Sequence, residues 1–274
     1  MRNLFDRICL FFSKNALKIP NYWLKKPTEL EDKSLCFFVT YAANNQLSRA
    51  ASLSIKSWNE AGYLVILIIN IDEYPSGFIS DELDFCEGVL IRKNLGYDFG
   101  AWATTIQLLP DITLSRRLVC VNDSLIGPVG DLNKFLYLVD NTEADVIGAI
   151  ESKEIKPHIQ SFMIFYNSVA LRSRVFWAFW GGIKTGNRGM VIRNYELKLS
   201  DIMIYGGLTV KCIFPAIDEK NPMLFYWKRL FKAGFPFIKI TLLKNNPWKA
   251  DINGWRELMT NLDYDLEIVD EVIR

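Results

Sequence analysis

The sequence predicts an α/β protein with a mixed, mostly parallel sheet flanked by helices. Two observations carry this prediction. Apolar segments of strand length alternate with helical segments along the first half of the chain, and these strands are apolar on both faces. Such strands are typical of a parallel sheet that helices cover on both sides. The 274 residues, half of them hydrophobic, suffice to bury a large core.

The first half of the chain contains the alternating elements. Gly62 is expected at the C-cap of the first helix, and Pro110 stops the second. The predicted strands span 34–42, 63–72, 88–94 and 116–121, and the predicted helices span 46–62 and 97–110. This order is typical of a nucleotide-binding half, in which ligands gather at the carboxyl ends of the strands.

The second half is predicted to be less regular. Two strands of mixed direction are expected, followed by two helices, the first rich in aromatic residues, and a Trp- and Phe-rich tail. The strands span 145–150 and 158–166, the helices 173–183 and 194–207, and the tail begins at 221. Within the tail, residues 234–248 are expected to wrap the core and end in a loop.

Composition excludes several classes of function. A formal net charge of +1 gives no electrostatic reason for a nucleic-acid partner. One histidine excludes a multi-histidine zinc site. Neither a GxSxG nucleophile elbow nor a GxGxxG dinucleotide fingerprint occurs, which argues against a serine hydrolase and an NAD-dependent enzyme. Five scattered cysteines without a CxxC pair favour a reducing compartment, so the expected location is cytoplasmic.

Residues 1–33 differ from the rest as a basic N-terminal segment, and a linker is predicted from Pro20 to Pro27. Leu4, Ile8 and Phe11 fall at helical spacing among basic residues, which predicts a short amphipathic helix. This helix either rests on an anionic membrane surface, at the inner face of the cell membrane, or packs on the domain. No run of about 18 apolar residues predicts a helix that spans a bilayer.

Polar residues follow each of the four predicted strands. They are Tyr41 after the first strand, Asp72 after the second, Asn94 with Gly96, Tyr97 and Asp98 after the third, and Asn122, Asp123 and Ser124 after the fourth. The carboxyl ends of parallel strands share one edge of a sheet, so these groups are expected to converge in one cleft.

Two of these strand ends have alternative interpretations. Asp98 is either a structural N-cap of the helix beginning at 97, or part of a helix N-terminus whose free N–H groups face a phosphate or sugar. Asp123 is either a turn residue or an oxygen ligand for Mg²⁺ or Mn²⁺ that bridges to a diphosphate. Asn122 and Ser124 can add hydrogen bonds to a sugar.

Three residues of the second half are further candidates. His158 is either a satisfied structural histidine or, with Gln160 on the same strand face, a group that positions a sugar or phosphate. A third metal ligand is another possible role of His158. Glu196 either lies in the first turn of a helix capped by Asn194, or acts as the general base for an acceptor hydroxyl.

Four motifs in this order resemble the rhamnan synthesis F family of polysaccharide-building glycosyltransferases. They are "RKNLGYDFGAW", "VNDSLIGP", "HIQSFMIFY" and "NYELKLS". The segment "NPMLFYWKRLFKAGFPFIKITLLKNNP" is similar to the closing part of the family. The resemblance covers roughly residues 34–256 and leaves the basic segment outside.

The resemblance implies a GT-A-like glycosyltransferase domain at 34–256, with a nucleotide-sugar half at 34–130, an acceptor half at 131–256 and a tail at 257–274. The implied donor is deoxythymidine-diphosphate rhamnose or a related nucleoside-diphosphate sugar. The implied acceptor is a glycan or lipid-linked glycan of a growing cell-surface polysaccharide, such as an O antigen or cell-wall polymer, and transfer is expected to invert the anomeric centre.

The resemblance also implies roles for single residues. Asp123 matches the strand end that carries Asp-x-Asp in inverting transferases, so it is expected to hold the diphosphate through Mg²⁺ or Mn²⁺. This chain has Asn-Asp-Ser there, with one carboxylate instead of two, which leaves the need for a metal open. Glu196 is the first choice for the catalytic base, followed by Glu151 and Asp98, while His158 and Gln160 position the acceptor or donor.

Two other classes of function stay open from the sequence. The single carboxylate also fits a non-catalytic carbohydrate-binding or polysaccharide-assembly protein built on a transferase scaffold. The basic segment also fits a peripheral membrane scaffold. Turnover of a donor separates the transferase from the binding protein, and nucleotide-sugar binding that survives deletion of residues 1–26 separates it from the scaffold.

Overall fold

The computed structural model describes residues 20–42, 46–73 and 81–274, with side chains from Leu83 onward in the last range. The predicted amphipathic helix and its membrane contact therefore fall almost entirely outside the described residues. In the part that is described, no helix is long and apolar enough to cross a bilayer.

The described residues form a large sheet and a two-stranded ribbon. The strands are β1 Asn21–Lys25, β2 Ser34–Tyr41, β3 Leu64–Ile71, β4 Cys86–Lys93, β5 Arg117–Asn122, β6 Leu125–Ile126, β7 Val146–Ser152, β8 His158–Ile159, β9 Met163–Asn167, β10 Val210–Phe214 and β11 Ile238–Lys239. The large sheet runs in the order β1-β4-β3-β2-β5-β9-β7-β10, with β8 paired to β7, and β6 pairs with β11.

Strand directions confirm the predicted fold class, an α/β fold with a mixed, mostly parallel sheet flanked by helices. β2 runs parallel to β3 and β5, and β3 parallel to β4. β9 lies antiparallel between β5 and β7, and β10 is parallel to β7. The mixed direction expected in the second half is therefore confirmed, and β10 is a strand that the sequence did not predict.

Helices cover both faces of the sheet. They are α1 Arg49–Glu60, α2 Tyr97–Leu108, α3 Leu132–Asp140, α4 Ser168–Arg172, α5 Arg174–Gly181, α6 Arg188–Val191, α7 Leu197–Tyr205, α8 Pro222–Phe225, α9 Trp227–Lys232, α10 Ile240–Lys244, α11 Trp255–Thr260 and α12 Leu266–Ile273. A π-helical turn, Ile192–Glu196, joins α6 to α7. Short 3₁₀ turns occupy Asp81–Phe85 and Pro110–Leu114.

Alternate residues of β2 enter two separate hydrophobic clusters. Leu35, Phe37 and Val39 pack in the cluster that contains Trp102 of α2. Cys36 and Phe38 pack in the cluster on the opposite face. A strand with apolar residues at every position is therefore buried on both sides, as the sequence pattern predicts.

The end of α1 shows how a glycine stops a helix before the next strand. The C-cap is Ala61, and Gly62 follows it with a φ of +84°. Gly62 N–H donates to the Asn59 carbonyl at 2.9 Å, and Tyr63 N–H donates to the Trp58 carbonyl at 3.1 Å. These two bonds form a Schellman motif, so Gly62 has the predicted function one position beyond the C-cap itself.

Packed elements lie on both sides of the predicted domain boundaries at residues 33 and 256. Residues 21–25, predicted as linker, form strand β1, which pairs antiparallel with β4 at the sheet edge. The linker prediction is wrong there. Near the C-terminus, Asp265 and Glu271 form ion pairs with Arg49 of α1 at 2.6 Å and 2.9 Å. Helix α12 therefore contacts α1 through charged side chains.

Candidate active site

The carboxyl ends of β2 and β5 meet at Asp123. Thr40 Oγ1 donates to Asp123 Oδ2 at 2.6 Å, and the Tyr41 backbone N–H donates to the same oxygen at 3.1 Å. Burial raises the pKa of Asp123, and these hydrogen bonds offset part of the rise. The carboxylate is thus held at the strand edge by backbone and side-chain donors.

The loop between β4 and α2 is built around Arg92, which is fully buried. Its guanidinium donates to Asn70 Oδ1 and, at 2.6 Å, to the Leu95 carbonyl. A Cβ on Gly100 would lie 2.5 Å from the same carbonyl, so only glycine fits there. The loop and the first turn of α2 are therefore pressed together beside the sheet edge.

Helix α2 begins differently from the prediction. Gly96, with a φ of +80°, holds the N-cap position and offers no side-chain cap. Asp98 lies in the first turn, so its assignment as N-cap is wrong. Tyr97 has a φ of +53°, a left-handed conformation that is uncommon outside glycine. A helix start without a side-chain cap leaves N–H groups of the first turn unsatisfied within the helix.

A chain of hydrogen bonds links Asp98 to the polar triplet after β5. Asn122 Nδ2 donates to Asp98 Oδ2 at 2.7 Å. Asn122 Oδ1 in turn accepts from Ser124 Oγ at 2.6 Å and from Ser124 N–H at 3.2 Å. The Asn and Ser of the triplet thus orient one another and bind the helix start to the strand end.

The pKa of the Asp98 carboxyl group is raised above its ordinary value. Burial raises its pKa from 3.8 to about 6, and the neighbouring charge of Asp123 adds to the rise. Glu196 acts in the same direction more weakly, whereas the Asn122 hydrogen bond and Arg188 oppose it. The carboxylate after β5 therefore acts electrostatically on a second carboxyl group, that of Asp98 in the first turn of α2.

Asp98, Asn122 and Ser124 line a cavity of about 330 Å³ at the carboxyl edge of the sheet. We call it the charged cavity. Its lining comprises Tyr97, Asp98, Phe99, Asn122, Ser124, Gln160, Ser161, Phe162, Arg188, Val191, Ile192, Glu196, Lys239 and Thr241. Glu196 is held against the β8–β9 turn, where the Ser161 N–H donates to its Oε1 at 3.2 Å.

The helix that carries Glu196 starts earlier than predicted. Asn187 caps it, because its side chain accepts from the Met190 N–H at 2.9 Å. Asn194 is therefore no cap, and Glu196 lies in the π-helical turn instead of a first turn. Both assignments are wrong because Asn187 already supplies the cap seven residues upstream. Single π turns inside helices are frequent at functional sites.

The structure brings six of the thirteen predicted site residues together in one cavity. These six line the charged cavity: Tyr97, Asp98, Asn122, Ser124, Gln160 and Glu196. Gly96 and Asp123 are chain neighbours of lining residues. Tyr41 and Asp72 lie at the same sheet edge but outside the lining, where the Tyr41 hydroxyl donates to Asp72 Oδ2 at 2.5 Å. Asn94 is outside the lining too, and its N–H donates to the Ile71 carbonyl at 2.9 Å.

Two predicted residues lie elsewhere. His158 and Glu151 line a groove of about 440 Å³ between α7 and strands β7, β8 and β10, which we call the side groove. His158 Nδ1 bonds the Lys156 carbonyl at 2.7 Å, and Glu151 Oε2 accepts from the Ala216 N–H at 3.0 Å. Both side chains thus have backbone partners.

The family model described as "Rhamnan synthesis protein F" matches residues 67–274. The chain belongs to the rhamnan synthesis protein F family. The resemblance predicted from the motifs is confirmed, and the match extends to the last residue. Membership places the chain in a glycosyltransferase-like family of polysaccharide biosynthesis.

Curated relatives exist in two bacteria. The chain is 31% identical over 240 residues to "Virulence protein VirA" of Vibrio anguillarum, covering 73% of this chain and 74% of that protein. It is 27% identical over 144 residues to "Uncharacterized protein y4gN" of Sinorhizobium fredii, covering 49% of this chain and 37% of that protein.

Solved structures of similar shape are nucleotide-sugar enzymes by their descriptions. One is a putative nucleotide-diphospho-sugar transferase from Desulfovibrio desulfuricans G20, with a TM-score of 0.42, 11% identity and coverage of 89% of this chain and 97% of that one. Another is the mannosyltransferase PcManGT from Pyrobaculum calidifontis in complex with GDP-Man and Mn²⁺, with a TM-score of 0.40, 11% identity and coverage of 98% and 82%.

In this rhamnan synthesis F family member, sequence reasoning missed Arg188, Lys239 and Thr241. Lys239 reaches the cavity because β11 pairs antiparallel with β6, which places it opposite Leu125. The Ile240 N–H then donates to the Ser124 carbonyl at 3.0 Å. The segment around Lys239 belongs to the closing motif of the resemblance, but no local pattern marks a two-residue ribbon as part of a site.

The donor set for a divalent cation is limited. Among the residues that the structure describes, no three His, Cys, Asp or Glu side chains come together as metal ligands. Mg²⁺ is commonly held by one or two carboxylates together with substrate phosphates. Asp98, whose pKa is raised partly by the charge of Asp123, and Asp123 itself fit that smaller requirement.

Proposed function

We propose that this protein transfers a sugar from a nucleoside-diphosphate donor to a glycan acceptor in the charged cavity. The observation that carries the proposal is the composition of the cavity. Asp98, Asn122 and Glu196 come from a helix start, a strand end and a π-helical turn that are far apart in sequence, and they line one space. A concave site with convergent polar groups and a perturbed carboxyl is what transfer chemistry requires.

The donor that we propose is deoxythymidine-diphosphate rhamnose or a related deoxysugar nucleotide. The family description, which refers to rhamnan, supports this choice. The acceptor is the end of a growing cell-surface polysaccharide, either free or lipid-linked. The first turn of α2 offers N–H groups to a phosphate, and Asn122 and Ser124 offer hydrogen bonds to the sugar or ribose.

The reaction is a single displacement with inversion. The acceptor hydroxyl oxygen forms a bond to the anomeric carbon, the bond from that carbon to the diphosphate oxygen breaks, and its electron pair leaves with the diphosphate. Glu196 takes the hydroxyl proton. Glu196 lines the cavity with its Oε1 held by the Ser161 N–H, and we assign Asp98 instead to the cation beside Asp123.

Asp98 and Asp123 would hold Mg²⁺ or Mn²⁺ if the donor brings one. The cation would supply positive charge to the leaving diphosphate. Thr40 and the Tyr41 N–H fix one oxygen of Asp123, and Asn122 fixes one oxygen of Asp98, so both carboxylates are oriented before a ligand arrives.

Turnover of a donor panel tests the proposal. The purified full chain is incubated with dTDP-, UDP- and GDP-sugars and a glycan acceptor, with Mn²⁺ or with EDTA, and release of nucleoside diphosphate is measured. NMR of the product's anomeric proton reports inversion. Glycan binding without turnover of any donor would contradict the proposal and favour the carbohydrate-binding alternative.

Membrane contact is a separate part of the proposal. The basic residues before β1 are proposed to attach the protein to an anionic membrane surface. Because β1 begins at Asn21, a deletion that tests this should end at residue 19. Loss of binding to vesicles of anionic lipid, with retained sugar-nucleotide binding, is the expected result. Loss of nucleotide binding as well would contradict the proposal that the basic segment and the nucleotide-sugar site act independently.

A further inference from the structure

Two cationic side chains, Arg188 and Lys239, line the charged cavity beside its carboxylates. Neither side chain has a hydrogen bond or ion pair within the part of the chain that the structure describes. The cavity thus contains Asp98, Glu196, Arg188 and Lys239 as separate charges. Four unpaired charges around one space leave their fields available to a bound ligand.

The ammonium group of Lys239 has an electrostatic cost that no direct contact with a described residue offsets. Burial lowers the pKa of its amine, and the nearby Arg188 charge lowers it further, while Glu196 and Glu154 act in the opposite direction. Removing an ammonium group from water without a partner is unfavourable. Its backbone is fixed next to Ser124 by the β6–β11 ribbon, so the amine cannot leave the cavity by a shift of the chain.

Arg188 occupies a position where the helix macrodipole disfavours a positive charge. It is the first residue of α6, directly after the Asn187 cap. A positive side chain at a helix N-terminus opposes the macrodipole and lowers helix stability slightly. Its charge lowers the pKa of both Asp98 and Lys239, which shows that it acts on both sides of the lining.

We propose that Lys239 and Arg188 form an anion subsite that binds the diphosphate group of the donor. This inference rests on the proposed function and specifies where the charge of the leaving group is offset. A guanidinium binds phosphate oxygens in a bidentate manner, and a lysine ammonium acts as a point charge. Positive groups that are already in place when negative charge develops on the diphosphate stabilise the transition state.

The alternative is that both cations only balance the charges of Asp98 and Glu196. The two interpretations differ in what removal of one cation does. A structural counter-charge would be needed without ligand, so its loss would lower the unfolding temperature. A cation whose role is to bind a ligand would be needed only for ligand binding. Removing that cation would leave the stability of the unliganded protein unchanged or raise it.

Isothermal titration calorimetry on the full chain, without added metal, tests the subsite with Lys239→Gln and Arg188→Gln. The probes are dTDP, UDP and GDP, the matching nucleosides, and inorganic pyrophosphate. Each variant should bind diphosphate-containing probes about tenfold to a hundredfold more weakly, the range for a lost charge-assisted hydrogen bond, with nucleoside binding unchanged. Lys134→Gln and Arg193→Gln, at exposed cations outside the lining, should bind like the parent protein.

The outcomes separate the inference from the proposed function. Equal diphosphate affinity in parent and variants would overturn the subsite and leave the proposed function intact. Equal losses for nucleosides and diphosphates, with a lower unfolding temperature, would assign the cations a structural role and also overturn it. Pyrophosphate binding that depends on both cations, with no binding of any nucleotide, would support the subsite and contradict the proposed function.

Discussion

The charged cavity and the side groove differ in how their ionisable groups are partnered. Both are lined by residues that follow strands, and both were predicted to contribute to one site. In the side groove, Lys156 pairs with Asp201 at 2.5 Å, and Glu151 and His158 bond backbone groups. In the charged cavity, Arg188 and Lys239 have no such partner among the described residues.

The difference follows from where each cavity lies on the sheet. The charged cavity lies at the end of β5, beside the starts of α2 and α6, and its polar lining also includes groups from the β8–β9 turn, the π-helical turn, β11 and α10. The side groove lies beside β10, the last strand of the sheet order, where irregular chain supplies backbone partners. A polar residue after a strand therefore indicates a site only where its side chain has donors or acceptors that no other group of the protein satisfies.

The largest effect is expected from Asp123→Ala. It should abolish transfer, because it removes the carboxylate that the end of β2 orients through Thr40 and the Tyr41 N–H. Loss of these hydrogen bonds should cost about 1–3 kcal/mol of unfolding free energy, so circular dichroism should still show the native fold. The measurement is donor turnover by the purified variant.

Asp201→Ala is the matched control for Asp123→Ala. Asp201 lines the side groove and pairs with Lys156, so its removal should leave turnover unchanged. Full activity in Asp123→Ala would end the assignment of Asp123 to the donor site.

Glu196→Gln should reduce kcat by about 10²- to 10⁴-fold, the usual contribution of a general base. Its KM should change little, because glutamine can still accept the hydrogen bond from the Ser161 N–H. The control is Glu151→Gln in the side groove, which should retain activity. If Glu151→Gln loses kcat while Glu196→Gln keeps it, the comparison of the two cavities is wrong and the base lies in the side groove.

Asp98→Asn should stabilise the protein at neutral pH. Because the folded-state pKa of Asp98 is raised from 3.8 to about 6, the folded form retains a proton that the unfolded form has lost. The stabilisation that protonated Asp98 gives the wild-type protein is therefore lost as the pH rises from about 4 to 6. It stays absent above pH 6. The shift corresponds to at most about 3 kcal/mol.

Urea unfolding at pH 4 and pH 8, in buffer with chelator, measures this effect. The gain of Asp98→Asn over wild type should be present at pH 8 and nearly vanish at pH 4. Asp84→Asn, at an exposed aspartate, should show no such dependence. A gain of equal size at both pH values would show that the charge of Asp98 is not its source.

The sheet and its edge could be predicted because their signals are local. Val65 to Ile69 are all buried, as expected for a strand covered on both faces. The uninterrupted run of apolar residues in the sequence predicts this burial. The end of that strand, like that of β5, then fixes which edge carries the polar groups. Asp98, Asn122 and Ser124 could be placed together on this basis alone.

The rest of the site depends on contacts that leave no local trace. Lys239 reaches the cavity through a two-residue ribbon, and Arg188 follows a cap at Asn187, whereas the sequence predicted the cap at Asn194. His158 and Gln160 were expected to act together because they share a strand face. In the structure, the break between β8 and β9 separates them, and Gln160 lines the charged cavity while His158 lines the side groove.

The smallest effect is expected from His158→Ala. The variant should retain kcat/KM, because His158 lines the side groove and its ring is engaged by the Lys156 carbonyl. Loss of that hydrogen bond should lower the unfolding free energy by about 1 kcal/mol. Gln160→Ala, two residues along and inside the charged cavity, is the paired variant and should change KM. A loss of kcat/KM in His158→Ala that exceeds the loss in Gln160→Ala would show that the role predicted for His158 from the sequence is right. The substrate would then have to extend across the β8–β9 turn from one cavity to the other.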